Sequence, residues 1–386
     1  MAQIACLKDA MHFGANRLEL FANSPPYWML KNGNTLGGDG GKENLKPDCQ
    51  NAYAKWLADL VAAFQTREHI SFNFVAPFNE PSAWWWKPDS SNQEGSKVDW
   101  PTQANVMREL GKALSDRKLN VGISASDENG AEEGFNTLKW LTTPAPNGGG
   151  ITGALLHKLN VHAYNGGANW QVRLRKLAAE QQIPVVWMSE VTFREAKPEG
   201  FIPNDMRCAM PITRSIVNDI RNLHCSAWIY WQPIEPLQQD LKYNYTYGLI
   251  PTSLDTAVNF NGKTYQPGEG LFAKSYYAVR QFSAFIRPGD RLLATGDDST
   301  LAAYSARDKR LTIVVQNDRT DEHRYDFDLT QFGSWVGAVK VWRTANDKPG
   351  ELNNCRALPA IRITGTQFRD TVPPQSVTTY VLSGEM

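Results

Sequence analysis

The stretch ISFNFVAPFNEP, residues 70–81, consists of an apolar run with strand character followed by an Asn-Glu-Pro turn, and IPVVWMSE, residues 183–190, has the same plan. A glutamate, Glu80 in the first stretch and Glu190 in the second, lies where each apolar run stops. Similar runs alternate with helical periodicity along most of the chain. Strands that alternate with helices predict βα units and a parallel sheet. Since side chains at the carboxyl ends of such strands line one pocket, Glu80 and Glu190 are expected to face each other.

Six strands are predicted from short apolar runs bounded by polar or turn residues. They cover Arg17–Phe21, Ile70–Val75, Asn120–Ser124, Lys158–His162, Pro184–Ser189 and Ser226–Tyr230. The helices between them are predicted from apolar residues at helical spacing, of which the clearest lie at residues 53–64, 212–223 and 270–286. Six βα units can therefore be recognised in the sequence.

The pattern changes after Arg287-Pro288-Gly289, where the helical spacing disappears. Short alternating runs separated by Asp, Asn, Gly and Pro follow, at Leu301–Tyr304, Leu311–Gln316, Ala338–Trp342 and Ser376–Leu382. Such a pattern is typical of a compact antiparallel β-domain. We therefore predict two domains, an α/β domain over residues 1–286 and a β-sandwich over residues 287–386.

Composition excludes several classes of function. The 386 residues include 40 acidic and 40 basic side chains, so no excess charge attracts nucleic acid or an anionic membrane. No apolar run is long enough to span a bilayer, and the first residues lack the order of a signal peptide. The five cysteines show no metal-ligand spacing, so neither a metal nor a cofactor is predicted. Tryptophan, with thirteen residues, is abundant, and its side chain can stack on the apolar faces of sugars.

Two carboxylates at strand ends are the groups needed to cleave a glycosidic bond. One must stay protonated to donate to the leaving oxygen, and the other must stay ionised to attack the anomeric carbon. The competing interpretation is that Glu80 and Glu190 are ordinary surface glutamates at strand ends. The motifs around them favour the catalytic interpretation.

Five motifs occur in the order found in glycoside hydrolase family 30, which the chain resembles over nearly its whole length: Asn23–Met29, Asn79–Pro81, Val161–Tyr164, Ser189-Glu190 and Ile229–Pro233. Within that family the chain is most similar to the endo-β-1,6-galactanase branch, through the segments Pro77–Trp86, Gln93–Gly95 and Ser124–Glu128. The resemblance implies an eight-fold (β/α) barrel with an attached β-sandwich.

The chain departs from this family pattern at its N-terminal end. Its first strand matches the third strand of the family, so about 60 residues or more of the barrel are expected to be missing. The missing part would include a second-strand arginine that supports the active site and a segment that joins the β-sandwich. The expected fold is thus a TIM-type (β/α) barrel with only about six of its βα units, over residues 1–286, and a C-terminal antiparallel β-sandwich.

The resemblance also implies roles for individual residues. The family acts with retention of configuration, so Glu80 is expected to be the acid/base and Glu190 the nucleophile, with carboxyl groups about 5–5.5 Å apart. The proton on Glu80 requires a raised pKa, which burial and the negative charge of Glu190 would supply. Asn79 is expected to bind the sugar 2-hydroxyl and Tyr164 to orient the nucleophile. His162 either forms a hydrogen bond nearby or is a core residue.

Aromatic and acidic side chains complete the predicted substrate site. Trp28 and Trp231 follow strand ends and are expected to flank the subsite of cleavage. At least one residue of Trp84-Trp85-Trp86 is expected to stack on a sugar, the alternative being packing between domains. Asp127 and Glu128 follow a predicted strand and either bind sugar hydroxyls or cap a helix.

The predicted function is that of a retaining, endo-acting glycoside hydrolase that cleaves β-1,6-galactan. The alternatives are another specificity of the same family (endo-xylanase, β-1,6-glucanase or glucosylceramidase-like) and a non-catalytic fragment that binds carbohydrate. A polysaccharide is the expected partner of a monomeric chain. Because such polymers lie outside cells, family membership predicts an extracellular or periplasmic location.

Overall fold

The computed structural model describes residues 2–89, 93–193, 200–245, 247–349 and 351–383. Contacts between residues divide the chain into two compact units. The first unit contains residues 1–191 and 222–229, and the second contains residues 192–221 and 230–386. The domain boundary expected at residue 287 stays a prediction.

A six-stranded parallel sheet dominates the first unit. Its strands are β1 Glu19–Phe21, β2 Phe74–Ala76, β3 Gly122–Gly130, β4 Leu156–Asn165, β5 Val186–Glu190 and β6 Ala227–Trp228. They follow one another in chain order, and every neighbouring pair is parallel. The helices of this unit are α1 Ala2–His12, α2 Gln50–Ala63, α3 Trp100–Asp116, α4 Ala131–Thr142 and α5 Gly167–Glu180. Each predicted strand overlaps an observed one, which confirms the α/β class.

Helix α3 shows how the sequence produces these elements. It begins at Trp100, and Pro101 follows in the first turn, where the fixed φ of proline suits a helix and its missing N–H is not needed. Its apolar residues recur at helical spacing and are buried, at Val106, Met107, Leu110 and Leu114. This apolar face packs inward while the charged residues between them stay at the surface.

Polar side chains are also buried inside this unit. Lys158 of β4 is fully buried, and its Nζ lies 2.8 Å from Oε1 of Glu19 on β1. The same ammonium group lies 3.3 Å from a ring centroid of Trp187 on β5. Asn160, two residues further along β4, donates from Nδ2 to Oε2 of Glu19 at 3.1 Å and to Oδ2 of Asp127 at 2.9 Å. Buried charges are tolerated where they are paired and hydrogen bonded in this way.

The second unit is mainly antiparallel. Its strands are β7 Ile234–Pro236, β8 Ile250–Thr252, β9 Val258–Phe260, β10 Lys263–Tyr265, β11 Arg291–Leu293, β12 Thr300–Ser305, β13 Arg310–Asn317, β14 His323–Asp328, β15 Trp335–Thr344, β16 Arg356–Gly365, β17 Gln367–Val372 and β18 Ser376–Ser383. The largest sheet has the order β11–β12–β13–β18–β15–β16, and β14 pairs with β17. Strands β9 and β10 form a further antiparallel pair, whereas β7 and β8 are parallel.

Apolar side chains from both antiparallel sheets form the core of the C-terminal β-domain, among them Ile313, Val315, Trp335, Phe368 and Tyr380. This arrangement confirms the predicted β-domain. Three further helices are α6 Met210–Leu223, α7 Leu237–Tyr243 and α8 Lys274–Ser283. Within the described parts of the chain, no helix is both long enough and apolar enough to cross a bilayer.

Candidate active site

The two glutamates predicted from the sequence lie at the carboxyl edge of the parallel sheet. Glu190 is the last residue of β5, and Glu80 lies in the loop that follows β2. The backbone N–H of Glu80 donates to the carbonyl of Asp127 at 2.8 Å, and the indole N–H of Trp86 donates to the carbonyl of Glu80 at 2.9 Å. Glu80 has a φ of 44°, a left-handed conformation that is uncommon outside glycine and concentrates at functional sites.

The side chains of Glu80 and Glu190 meet around His162. One carboxylate oxygen of each glutamate and one imidazole nitrogen all lie within 4.8 Å of one another. Nδ1 of His162 lies 3.2 Å from Oε1 of Glu80 and 3.8 Å from Oε1 of Glu190. The two carboxylate oxygens lie within 4.8 Å of each other. That distance is closer to the carboxylate spacing of retaining glycosidases, about 5–5.5 Å, than to that of inverting ones, about 6.5–9.5 Å.

His162, on β4, is fully buried among carboxylates. Its Nε2 lies 3.8 Å from Oδ1 of Asp127, on the side of the ring opposite Glu80 and Glu190. Burial lowers the pKa of the imidazole, but the interactions with Asp127 and Glu80 and the charge of Glu190 outweigh it and raise the pKa of His162 to about 10. The carboxylates thus favour the protonated ring, whose positive charge offsets part of the negative charge of the site.

Glu190 experiences opposing influences. Burial, together with the negative charges of Glu80 and Asp127, raises the pKa of its carboxyl group, although the positive charge of His162 and a hydrogen bond from Tyr164 oppose this rise. The Tyr164 hydroxyl donates to Oε1 of Glu190 at 3.0 Å, which fixes the orientation of the carboxylate. The charge state of Glu190 thus depends on the imidazolium beside it.

Two asparagines that were not predicted from the sequence form a chain of hydrogen bonds that ends on Glu80. Asn129, near the end of β3, donates from Nδ2 to Oε1 of Glu80 at 2.6 Å. Asn165, the last residue of β4, in turn donates to Oδ1 of Asn129 at 2.7 Å. A Cβ atom on Gly130 would lie 1.8 Å from Oδ1 of Asn165, so only glycine allows these strands to bring the two amides together. Both asparagines lie beyond the predicted ends of these strands, at Ser124 and His162, so the sequence offered no specific signal for them.

The adjacent acids Asp127 and Glu128 have different partners, at a point where the register of β3 shifts and Asp127 has a left-handed φ of 54°. Asp127 faces the site, near His162. Glu128 faces α4, and its carboxylate accepts hydrogen bonds from the side chains of Ser82 and Thr137 at 2.8 and 2.7 Å. Burial, opposed by these hydrogen bonds, raises the pKa of Glu128 to about 7. A direct contact between Glu128 and a sugar stays a prediction.

Asn79, next to Glu80, is 3% exposed, and its Oδ1 has no hydrogen-bond partner among the described residues. Ser189 Oγ, next to Glu190, is also buried without a partner in the described part of the chain. Buried polar atoms are rarely left unsatisfied unless a ligand or water completes them. The expected hydrogen bond between Asn79 and the sugar 2-hydroxyl stays a prediction.

The predicted tryptophans separate into distinct groups. Trp86 is 1% exposed and supports the Glu80 backbone, whereas Trp84 is 69% and Trp28 is 53% exposed. Trp85 is half-buried, with its ring centroid 5.9 Å from that of Trp84. Trp231 belongs to the second unit, where its ring stacks on Tyr247 at 5.9 Å. Trp28 and Trp84 therefore offer exposed indoles in the unit that holds the carboxylates.

The same cluster contains three side chains of types that bind metal ions. Glu80, His162 and Glu190 each present one ligand atom within a space that one ion could occupy. Two carboxylates around an imidazolium already balance part of their charge through hydrogen bonds.

Comparisons with known proteins show which family the chain belongs to. The model of O-Glycosyl hydrolase family 30 matches residues 1–138. The endo-beta-1,6-galactanase of Hypocrea rufa is 30% identical over 385 residues, which cover 99% of this chain and 71% of that protein. The exo-beta-1,6-galactobiohydrolase of Bifidobacterium longum is 22% identical over 383 residues, covering 82% of this chain and 24% of that protein.

The chain therefore belongs to glycoside hydrolase family 30 and is a glycoside hydrolase. A solved family 30 endoxylanase from Clostridium papyrosolvens C71 superposes with a TM-score of 0.71 at 20% identity, covering 99% of this chain and 83% of that structure. At this identity the match concerns the fold alone. It supports the predicted architecture, a TIM-type barrel with a β-domain.

Proposed function

We propose that the protein is a retaining, endo-acting glycoside hydrolase that cleaves β-1,6-galactan, with Glu190 as nucleophile and Glu80 as acid/base. The observation that carries the proposal is the short distance between the two carboxylates. One oxygen of each lies within 4.8 Å of the other, beside an imidazole nitrogen of His162. At that spacing the second carboxylate can reach the anomeric carbon itself, whereas the wider spacing of inverting enzymes leaves room for a water molecule.

The proposed reaction has two displacements. First, the Glu190 carboxylate attacks the anomeric carbon while Glu80 gives its proton to the leaving glycosidic oxygen, so an ester bond to Glu190 forms and the glycosidic bond breaks. Then Glu80, now a carboxylate, takes a proton from water, whose oxygen attacks the same carbon and releases Glu190. Two inversions at one carbon give net retention of configuration.

Hydrogen bonds assign the individual oxygens. Asn129 and His162 both donate to Oε1 of Glu80, which leaves Oε2 to carry the proton that is transferred. Tyr164 and His162 both approach Oε1 of Glu190, which leaves its Oε2 as the attacking oxygen. The fixed donors thus orient both reactive atoms before substrate binds.

The substrate is proposed from relatives and from the exposed aromatic side chains. The two relatives reported above are named as a β-1,6-galactanase and a β-1,6-galactobiohydrolase. Trp28 and Trp84 offer exposed rings that suit the apolar faces of pyranose sugars. We further propose that the enzyme acts outside the cytoplasm as a monomer, since polysaccharide is its substrate.

The test is hydrolysis of β-1,6-galacto-oligosaccharides, with proton NMR of the first product to read its anomeric configuration. We expect the β-anomer as the first product. Glu190→Gln should lower kcat by at least about 10⁴-fold. Glu132→Gln, at an exposed glutamate on α4, should leave kcat unchanged. Activity on xylan or β-1,6-glucan instead would assign a sister specificity. An α-anomer product would exclude the retaining mechanism.

A further inference from the structure

A cavity of about 560 Å³ lies outside the cluster of catalytic carboxylates, beside the loop that carries Glu80. Its lining includes Ser82, Lys97, Asp99, Trp100 and Trp140. The two indoles are half-buried, and their ring centroids lie 5.9 Å apart with the planes tilted by 33°. Concave sites of this size, with aromatic walls and a few polar groups, are typical of sites for small organic ligands.

The walls of this cavity are held in place by one buried carboxylate. The indole N–H of Trp100 donates to Oγ1 of Thr137 at 2.9 Å, and Thr137 donates to Glu128 at 2.7 Å. Ser82, on the opposite side, donates to the same Glu128 oxygen at 2.8 Å. Because Trp100 and Ser82 are fixed before any ligand arrives, a ligand that binds between them loses little affinity to ordering the protein.

A second cavity, of about 410 Å³, continues the first, since Lys97 and Asp99 line both. Its remaining lining is polar: Lys31, Asn32, Asp39, Lys42, Glu43 and Asn44. Over the two cavities the lining carries three lysines, at 31, 42 and 97, and three carboxylates, at 39, 43 and 99. With no net charge and many hydrogen-bonding groups, the lining suits a neutral, hydroxyl-rich ligand better than a phosphate or a charged peptide.

We infer that the two joined cavities form an accessory site that binds a stretch of the polysaccharide away from the bond that is cleaved. The apolar face of a pyranose ring stacks on the indole of Trp140 or Trp100, and neighbouring sugars place their hydroxyls against Lys97 and the polar cavity. This inference rests on the proposed function, because it takes the polymer as the ligand. The site raises the affinity for long chains by adding a second point of attachment.

The experiment compares polymer with short substrate in full-length protein. In a Glu190→Gln background, which prevents hydrolysis, affinity electrophoresis through gels that contain β-1,6-galactan measures binding to the polymer. We expect Trp140→Ala to weaken this binding by about tenfold, because truncation of a stacked tryptophan removes most of one attachment point. With Glu190 intact, we expect the same substitution to leave kcat/KM for β-1,6-galactotriose unchanged.

Trp170→Ala is the matched control. Trp170 is a half-buried tryptophan on α5, where it packs on Phe135 and Arg173 away from both cavities, and its substitution should leave polymer binding unchanged. If Trp140→Ala lowers the melting temperature strongly, Lys97→Ser, at a half-buried position shared by both cavities, replaces it with the same expected loss.

If Trp140→Ala and Lys97→Ser both leave polymer binding unchanged, the inference is wrong. It is also wrong if a variant weakens polymer binding and lowers kcat/KM on galactotriose equally, because the effect would then lie at the cleavage site. The proposed function can fail separately. If wild-type protein cleaves xylan or β-1,6-glucan and not galactan, the galactanase proposal is wrong. The accessory site is then tested with the polymer that is cleaved, with the same variants and the same two readouts.

Discussion

His162 is the residue that sets the charge of the site, since it lies between Glu80, Glu190 and Asp127 with no access to solvent. Its positive charge opposes the effect of burial on the pKa of Glu190. A glutamate that acts as nucleophile must be ionised, so its pKa limits activity at low pH. For the proposed nucleophile Glu190, a positively charged His162 is thus expected to extend activity toward lower pH.

Substitution of His162 by Gln tests this role. Loss of the positive charge should raise the pKa of Glu190, so the acid limb of the profile of kcat/KM against pH moves upward by about one pH unit or more. The measurement is that profile on galactotriose. His12→Gln, an exposed histidine on α1, serves as control. A lower rate with an unmoved acid limb would contradict the electrostatic role.

Asn129 gives a second prediction for a single residue. Asn129→Ala removes the 2.6 Å hydrogen bond to Glu80, and removal of one partner of a buried hydrogen bond costs about 1–3 kcal/mol. We expect kcat/KM to fall by about 10- to 100-fold, measured by initial rates on galactotriose. Asn105→Ala removes an amide that bonds only α2 side chains in the described region, and it should keep wild-type kinetics. If Asn129→Ala and Asn105→Ala show the same kinetics, Asn129 does not contribute to catalysis.

Some residues of the candidate site could be predicted from the sequence and others could not. Glu80 and Glu190 could be predicted because each follows an apolar run, and the structure brings their side chains together. Asn129 could not, since an asparagine after a predicted strand is also a common turn residue. Nor could the sequence show that Asp127 and Glu128 have different partners, because that depends on how far the strand extends.

Strand β3 explains this difference at the level of an element. The sequence predicts a strand that ends at Ser124, whereas β3 continues to Gly130. Its last part contains Ser126, Asp127, Glu128 and Asn129, which read as a loop from polarity alone. Ser126, Asp127 and Glu128 are buried and hydrogen bonded to other elements, so tertiary contacts and not local propensity extend β3 through this polar segment. Polar strand ends of this kind are where active sites form in such sheets.

Gly130→Ala tests the packing of β3 against β4. The added Cβ would overlap Oδ1 of Asn165, so the Asn165–Asn129–Glu80 chain of hydrogen bonds must shift. A misplacement of about 1 Å in a catalytic group can cost about 100-fold in rate, and we expect a loss of that order in kcat/KM. Gly296→Ala, where an added Cβ meets nothing within 4 Å, should keep normal rates. Normal activity of Gly130→Ala would show that the amide chain is dispensable.

For the molecule as a whole, the sequence predicted the order of strands and helices and the change to antiparallel structure near the C-terminus. Alternating apolar runs and helical periods are local signals, so they survive in a single sequence. The grouping of residues 192–221 with residues 230–386 could not be read from it, because that grouping arises from contacts distant in sequence. The buried pair of Lys158 and Glu19 was likewise missed, since charged residues are usually expected at the surface.

Global stability should depend on a buried acid in the second unit. Asp240 is fully buried, and neither carboxylate oxygen has a hydrogen-bond partner among the described residues. Burial, and then the charge of Glu235, raises the pKa of Asp240 to about 8. An unfolded aspartate titrates near about 3.9, so between about pH 4 and pH 8 the folded protein holds a proton that the unfolded chain has lost. Stability therefore falls as the pH rises through this range.

Asp240→Asn removes this penalty. We expect the Tm of the variant to exceed that of wild type by about 2–4 °C or more at pH 8 and to differ little at pH 4, measured by scanning calorimetry. Asp255→Asn, at an exposed position, should shift Tm at neither pH. A gain for Asp240→Asn that is the same at both pH values would show that ionisation of Asp240 is not the cause.

The enclosed amine of Lys158 has a practical consequence. Acylating reagents modify amines that solvent can reach, and this one is sealed between Glu19 and the Trp187 indole. A brief pulse of such a reagent would label surface lysines and spare Lys158 until its surroundings open. Peptide mass spectrometry of the labelled chain would then time the opening of the parallel sheet, with the protein's own side chain as the probe.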